Sequence, residues 1–186
     1  MIKNLFFTTI SLIFKSSDAW KKLREKRTDD HEAFLSGYLY PFLGVVTLVS
    51  FLCALYTHDL QTALKEAIVA IVSLFGGFFL ASFLINEAWR AIFHREPDMK
   101  LCQRFTGYSS SLMYCLNMIL FLLPEFFFLR FIVLYTIYIV WEGAIHYMET
   151  DESERLKFVG IATLLILAMP IVLTFILGLM IPGLKF

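Results

Sequence analysis

The chain has little from which to build a familiar catalytic or metal centre. Its three cysteines, Cys53, Cys102 and Cys115, are odd in number and form no C-x-x-C pair. They read as apolar fillers rather than disulfide or zinc ligands. No H-E-x-x-H helix occurs, no glycine-rich loop could cradle phosphate, and no Ser, His and Asp stand where they would meet. An excess of one charge is also missing: 16 basic side chains balance 16 acidic ones, which removes the electrostatic case for nucleic acid as a partner. No cofactor is expected from such a composition.

What the chain has is apolar surface. Hydrophobic residues make up 59% of 186 positions and include 20 phenylalanines, more than one soluble core of that size can hide. A helix needs about 20 apolar residues to cross about 30 Å of hydrocarbon, and five stretches qualify: 35–57, 67–86, 105–124, 126–145 and 158–184. The expected fold is all-α, a polytopic membrane bundle of five transmembrane helices over residues 35–186. The lipid bilayer is its first partner. The fourth span is the awkward one. Its charge-free part, Phe131 to Trp141, is 11 residues, about 16 Å of α-helix, so Arg130 or Glu142 or both must snorkel from inside the membrane boundary.

Residues 1–34 are too interrupted for a sixth span and carry no small-residue cleavage site, so they are not read as a signal peptide. They read as a cytoplasmic interfacial, amphipathic segment. Ser17 or Asp18 can cap a short helix, "DAWKKLREKR", in which Trp20 and Leu23 share a face and Lys21, Lys22, Arg24, Lys26 and Arg27 decorate the rest. Such a helix suits an anionic leaflet. Basic residues also set orientation. Thirteen of the sixteen lie in the N-terminal segment and the second and fourth loops, while Lys65, Arg130 and Lys185 lie on the other side. The N-terminus is therefore expected in the cytoplasm and the C-terminus opposite it.

Folding each hairpin back on itself places Glu142 level with Gly107. With a loop around His58 to Glu66, it also places Glu87 beside Gly37 and Asn86 beside Tyr38. Each hairpin opens on a Gly-Tyr pair ("LSGYLYPFL", "FTGYSSSLM") and closes on a glutamate near a tryptophan ("NEAW", "VWEG"). This is a parallel repeat of unequal length. It sets Glu87 and Glu142 at equal depth near the cytoplasmic face, each within reach of a tyrosine hydroxyl. Such carboxyls can mark helix exits and bond Tyr38, Tyr108 or Arg90. They can also serve an ion, because Glu142, His146 and Glu149 share one helical face and Glu87 and His94 are likewise seven apart. Ser73, Gly77 and Ala81 form a small-residue stripe on the second span, suited to close approach by another helix of this chain or of a second copy. Asn117 in mid-span needs a hydrogen-bonding neighbour, and Pro170 frees a carbonyl in the fifth span, which can end early at Pro182-Gly183.

With five spans, a cytosolic start, Leu39-Tyr40-Pro41 entering the first span and Gly107-Tyr108-Ser109 entering the third, the chain resembles the Ypt/Rab-interacting (Yip) family over roughly residues 18 to 184. The family's first entry typically reads Asp-Leu-Tyr-Gly-Pro and its second Tyr-Gly-Tyr-Ser. Here the aspartate and the intervening glycine are absent, and Thr106 replaces the first tyrosine of the second entry. The resemblance implies an adaptor of the kind that engages prenylated small GTPases in eukaryotes. The short arm and divergent motif suggest a bacterial branch and an inner membrane. The expected function is a non-enzymatic membrane scaffold or adaptor, whose basic helix and "ETDESERLK" loop, residues 149–157, meet protein or anionic lipid at the cytoplasmic face. The alternative is a small transporter or ion- or metal-binding protein built around Glu87 and Glu142.

Overall fold

The computed structural model describes residues 2–26 and 31–181, with side chains from Leu5 onward. Arg27 and Lys185 of the charge count and the Pro182-Gly183 stop lie outside the described residues. Two short helices, α1 (Ile2–Phe14) and α2 (Ser16–Glu25), precede five long ones. These are α3 (His31–Thr57), α4 (Leu60–Ala91), α5 (Met99–Leu122), α6 (Pro124–His146) and α7 (Glu152–Met180), each long and apolar enough to cross a membrane. The described residues contain no strand. The protein is an all-α, multi-pass membrane bundle.

Several helices run past the apolar stretches that define the spans, because nothing in the backbone obliges a helix to stop where the hydrocarbon does. At 32 residues, α4 is about 48 Å long. It begins at Leu60, where Asp59 accepts a hydrogen bond from the Thr62 hydroxyl at 2.5 Å and its carbonyl takes the Ala63 N–H at 3.0 Å. Likewise α5 starts before Phe105, since the Asp98 carboxylate caps it by accepting from the Leu101 N–H at 2.9 Å.

Three spans depart from α winding. Leu35–Leu39 form a π turn in α3, closed by the Tyr40 N–H on the Leu35 carbonyl. Pro41 follows at once; its ring would press on the carbonyl four residues back, and the wider turn relieves that contact. In α5 the winding breaks at Ser110, where the Ser110 and Ser111 hydroxyls bond back to the Thr106 and Tyr108 carbonyls at 2.8 and 2.5 Å. In α6, Pro124–Tyr135 is wound as 3-10 helix in two pieces joined at a kink at Phe126, where φ is −85° and ψ 39°, and is followed by ordinary α-helix over Thr136–His146.

The hydrophobic interior has two parts. One gathers Trp20, Trp89, Phe93, Phe105 and Phe158 from α2, the end of α4, α5 and α7. The other gathers Phe34, Tyr38, Phe42, Phe78 and Tyr114 from α3, α4 and α5. Tyr108, Val133 and Leu167 touch both. Outside lies a belt of exposed apolar side chains suited only to lipid, among them Leu52, Phe83, Phe127, Phe131, Ile171 and Phe175.

Helix α4 lies at the centre, packed against α3, α5 and α7. Its Ser73, Gly77 and Ala81 are all buried, and the stripe is used within one chain. A β-carbon on Gly77 would stand 2.8 to 2.9 Å from the ring, Cα and nitrogen of Pro170, and one on Gly76 would stand 2.9 Å from Leu173. With no N–H on Pro170, the Ile166 carbonyl loses its usual donor. Replacing Gly77 by valine should therefore separate α4 from α7 and lower stability by about 1 to 3 kcal/mol, read as a fall in Tm in detergent micelles. Gly160→Ala, where nothing lies within 4 Å, should leave Tm unchanged or raise it.

Candidate functional site at the strapped end of the bundle

The second helix of each hairpin ends in the same way. After Glu87, the Ile92 and Phe93 N–H groups donate to the Ala88 carbonyl at 2.9 and 3.4 Å, and the Arg95 N–H donates to the Trp89 carbonyl at 3.2 Å. After Glu142, the Tyr147 and Met148 N–H groups donate to the Gly143 carbonyl at 2.9 and 3.0 Å, and the Thr150 N–H donates to the Ala144 carbonyl at 3.0 Å. Every donor and acceptor stands at the same offset from its glutamate. Both caps turn on a left-handed residue, His94 at φ 51° and Glu149 at φ 54°, where glycine is the usual occupant. The repeat between hairpins is thus physical at these ends. Between the caps opens a cavity of about 650 Å³, lined by Trp89, Arg95, Asp98, Lys100, Met148 and Glu149 among others.

The entries to the hairpins are not equivalent. Tyr40 stacks on Phe75 with ring centroids 5.8 Å apart, which puts Gly37 opposite residues near Phe78 and not beside Glu87. The register differs from the expected one because the connection is only His58 and Asp59, not a loop reaching Glu66. In the second hairpin, a β-carbon on Gly143 would stand 2.8 Å from the Phe105 ring. Glu142 is therefore level with Thr106, one residue from the expected Gly107. Gly37 faces open space, whereas Gly107 is pressed by Phe34, 2.6 Å from where its β-carbon would be. The two Gly-Tyr pairs nonetheless converge: the Tyr38 and Tyr108 rings lie 4.8 Å apart, with Phe34 5.0 Å from Tyr108.

The Tyr38 hydroxyl does not serve a glutamate. It hydrogen-bonds Ser111 at 2.6 Å and Thr9 of α1 at 3.2 Å. Glu87 pairs with Arg90 at 2.6 Å, one of the partners its position suggested. Glu142 lies 3.4 Å from His146, whose Nε2 also meets the Ser17 hydroxyl at 2.9 Å. Glu149 is drawn to Arg24, and Arg95 to Asp151. The four side chains weighed as metal ligands, Glu87, Glu142, His146 and Glu149, thus go to separate partners, apart from the Glu142–His146 contact. Among the described residues no group of three His, Cys, Asp or Glu is placed to hold an ion. Buried Asn86 accepts a weak contact from the Cys102 thiol at 3.8 Å, Asn117 is half-buried in α5, and Arg130 is exposed on the lipid-facing part of α6.

What the sequence did not disclose is how tightly the N-terminal helices are fastened. Trp20 is fully buried. Its indole N–H donates to the Ile139 carbonyl at 2.9 Å, and its ring meets those of Tyr147, Phe105 and Tyr108 at 5.3, 5.7 and 6.1 Å. Gly143 provides the floor, since a β-carbon there would lie 2.8 Å from the indole. In α1, Thr9 reaches Tyr38 on α3, and four residues later the Ile13 carbonyl accepts the Tyr135 hydroxyl of α6 at 3.0 Å. The segment therefore straps one hairpin to the other. The opposite face of α2 leaves Lys21, Lys22 and Arg24 exposed, as is Lys26 at its C-cap.

A family model, the Yip1 domain, matches residues 10–176. No curated protein and no solved structure matches the chain.

Removing the indole by Trp20→Ala should cost about 3 to 5 kcal/mol and free the N-terminal helices to limited trypsin cleavage at Lys21 and Lys22. The caps make the opposite prediction. His94→Gly should stabilise by about 1 kcal/mol by relieving the left-handed backbone. Glu149→Gly should gain less in the same thermal melt, because it also removes the Arg24 ion pair, an exposed contact worth up to about 1 kcal/mol.

Proposed function

We propose that this chain, which belongs to the Yip1 domain family, is a non-catalytic integral membrane scaffold or adaptor whose strapped end receives a protein partner or anionic lipid. The observation that carries this reading is the fixed presentation of charge. Trp20 anchors α2, so Lys21 and Lys22 project from a fixed helix and Lys26 from the residue that caps it. Beside them, the start of α7 presents exposed Asp151, Glu152 and Ser153, and the Arg24–Glu149 and Arg95–Asp151 pairs tie the connecting loops to that helix and to each other. A surface of both signs held in one geometry discriminates between partners better than a diffuse patch does. The clustering of basic residues at this end argues that it faces the cytoplasm, with the end of α7 across the membrane.

A photocrosslinking residue at exposed Glu25, introduced in cells, tests the reading. We expect a discrete protein or anionic-lipid adduct that disappears when Lys21, Lys22 and Lys26 are changed to glutamate and persists when Glu87 and Glu142 are changed to glutamine. An adduct indifferent to the lysines, or no adduct at all, would contradict the adaptor reading. Loss of the adduct in the glutamine variants would instead favour a function centred on the two carboxyls.

A further inference from the structure

Helix α1 is apolar but too short to cross a membrane. Its 13 residues make about 20 Å of α-helix, against roughly 30 Å of hydrocarbon. From Leu5 to Phe14 its side chains divide between two faces. Thr9 and Leu12 are buried, and Leu5 packs on the core around Tyr38 and Phe42. On the other face Phe6, Phe7 and Phe14 are 66%, 68% and 79% exposed, with Ile10 exposed between them. A helix resting at a water interface turns charge outward. Here Asn4 to Phe14 carries none, and the outward face holds the largest apolar side chains.

Two hydrogen bonds fix how deep this helix lies. Thr9 meets the Tyr38 hydroxyl, which also bonds Ser111, and Ser111 is the thirteenth of the 24 residues of α5. Four residues along α1, the Ile13 carbonyl accepts from Tyr135 of α6. Ser111 and Tyr135 each stand twelve residues from Leu123, which joins the two helices; over Ser111–Leu122 that distance is about 16 Å of α-helix. Both attachments therefore lie near the middle of the crossing helices, and α1 bridges the hairpins there. By contrast, α2 is fastened closer to the end of the bundle, Trp20 to Ile139, Ser17 to His146 and Arg24 to Glu149. Beside Tyr135, the exposed side chains of Phe131, Leu134 and Tyr138 belong to the lipid-facing belt, and the phenylalanine face of α1 continues it.

We propose that α1 is an intramembrane helix that does not cross, sunk among acyl chains in the half of the bilayer nearer α2, with Phe6, Phe7, Ile10 and Phe14 as its lipid-contacting surface. The depth of the Thr9 and Ile13 bonds places it below the headgroups, and continuity with the belt makes acyl chain the occupant of its outer face. A helix can lie there because its backbone groups bond one another. Exposed Lys15, at the joint with α2, carries its ammonium toward the interface along its flexible stem. Since α1 does not cross, it displaces acyl chains from one leaflet alone.

Spin labels placed in turn at Phe6, Phe7 and Phe14 test this, on a chain with Cys53, Cys102 and Cys115 replaced by alanine and reconstituted in dioleoylphosphatidylcholine vesicles. Collision with oxygen, which concentrates in hydrocarbon, should exceed collision with the water-soluble nickel complex NiEDDA at each position, as at exposed Phe83 of α4, and the order should reverse at exposed Glu25. Dominant NiEDDA collisions would put α1 at the membrane surface, and shielding from both reagents would put a second copy of the chain on this face. Either result would overturn the proposal. A benzophenone side chain at Phe7, with the cysteines intact, gives a second readout in the same vesicles: illumination should yield an adduct to a lipid acyl chain. Crosslinks between chains without any lipid adduct would count against it.

Discussion

The burial of one indole holds the strapped end together. Trp20 stands in a short, strongly basic helix that would otherwise gain little by leaving the membrane surface, yet its ring occupies a socket made by three other aromatic rings and a glycine floor. In lipid the apolar contact alone gives no large preference for protein over acyl chains. The hydrogen bond from the indole to the Ile139 carbonyl and the close aromatic packing supply the specificity. Once the ring is seated, Ser17 comes to His146 and Arg24 to Glu149, and the basic face of α2 acquires a fixed direction.

The strap matters because the two hairpins do not share a single interior. One core lies where α2 meets the end of α4, α5, α6 and α7, the other where α3 meets α4 and α5, and only a few side chains touch both. Helix α4 and the α1–α2 strap both join them. At α4 the contact is made by absence, the missing side chain of Gly77 admitting the ring of Pro170. At α1 it is made by hydroxyl groups, Thr9 to Tyr38 and Tyr135 to the Ile13 carbonyl. Both kinds suit a membrane interior, where close backbone approach and satisfied polar groups replace the hydrophobic effect as the source of order.

Much of the architecture was legible because lipid imposes a simple demand, a long charge-free run for each crossing. All five spans could be read from that demand, as could the small-residue stripe and the kinship of the two glutamates. The first-hairpin register was not legible. Lys65 and Glu66 look like loop residues, but they extend α4 beyond the apolar run and leave a two-residue turn. Nor were the caps: glycine ordinarily marks a left-handed position, and His94 and Glu149 carry no such mark. Trp20 is legible on the apolar face of α2, but an amphipathic helix on a lipid surface and one docked on a protein have the same periodicity. The short charge-free run of the fourth span is legible, but the 3-10 winding of its first half leaves no pattern in residue types.

The turns at the far end have a consequence for biogenesis. His58 and Asp59 join the first pair of spans, and Leu123 alone separates the helices of the second. An insertion machine handling either pair has almost no hydrophilic chain to thread across the bilayer, so each pair can enter sideways as a preformed unit. The longer polar connections lie at the other end of the bundle. Helix α7 does not belong to either pair and must be accommodated separately.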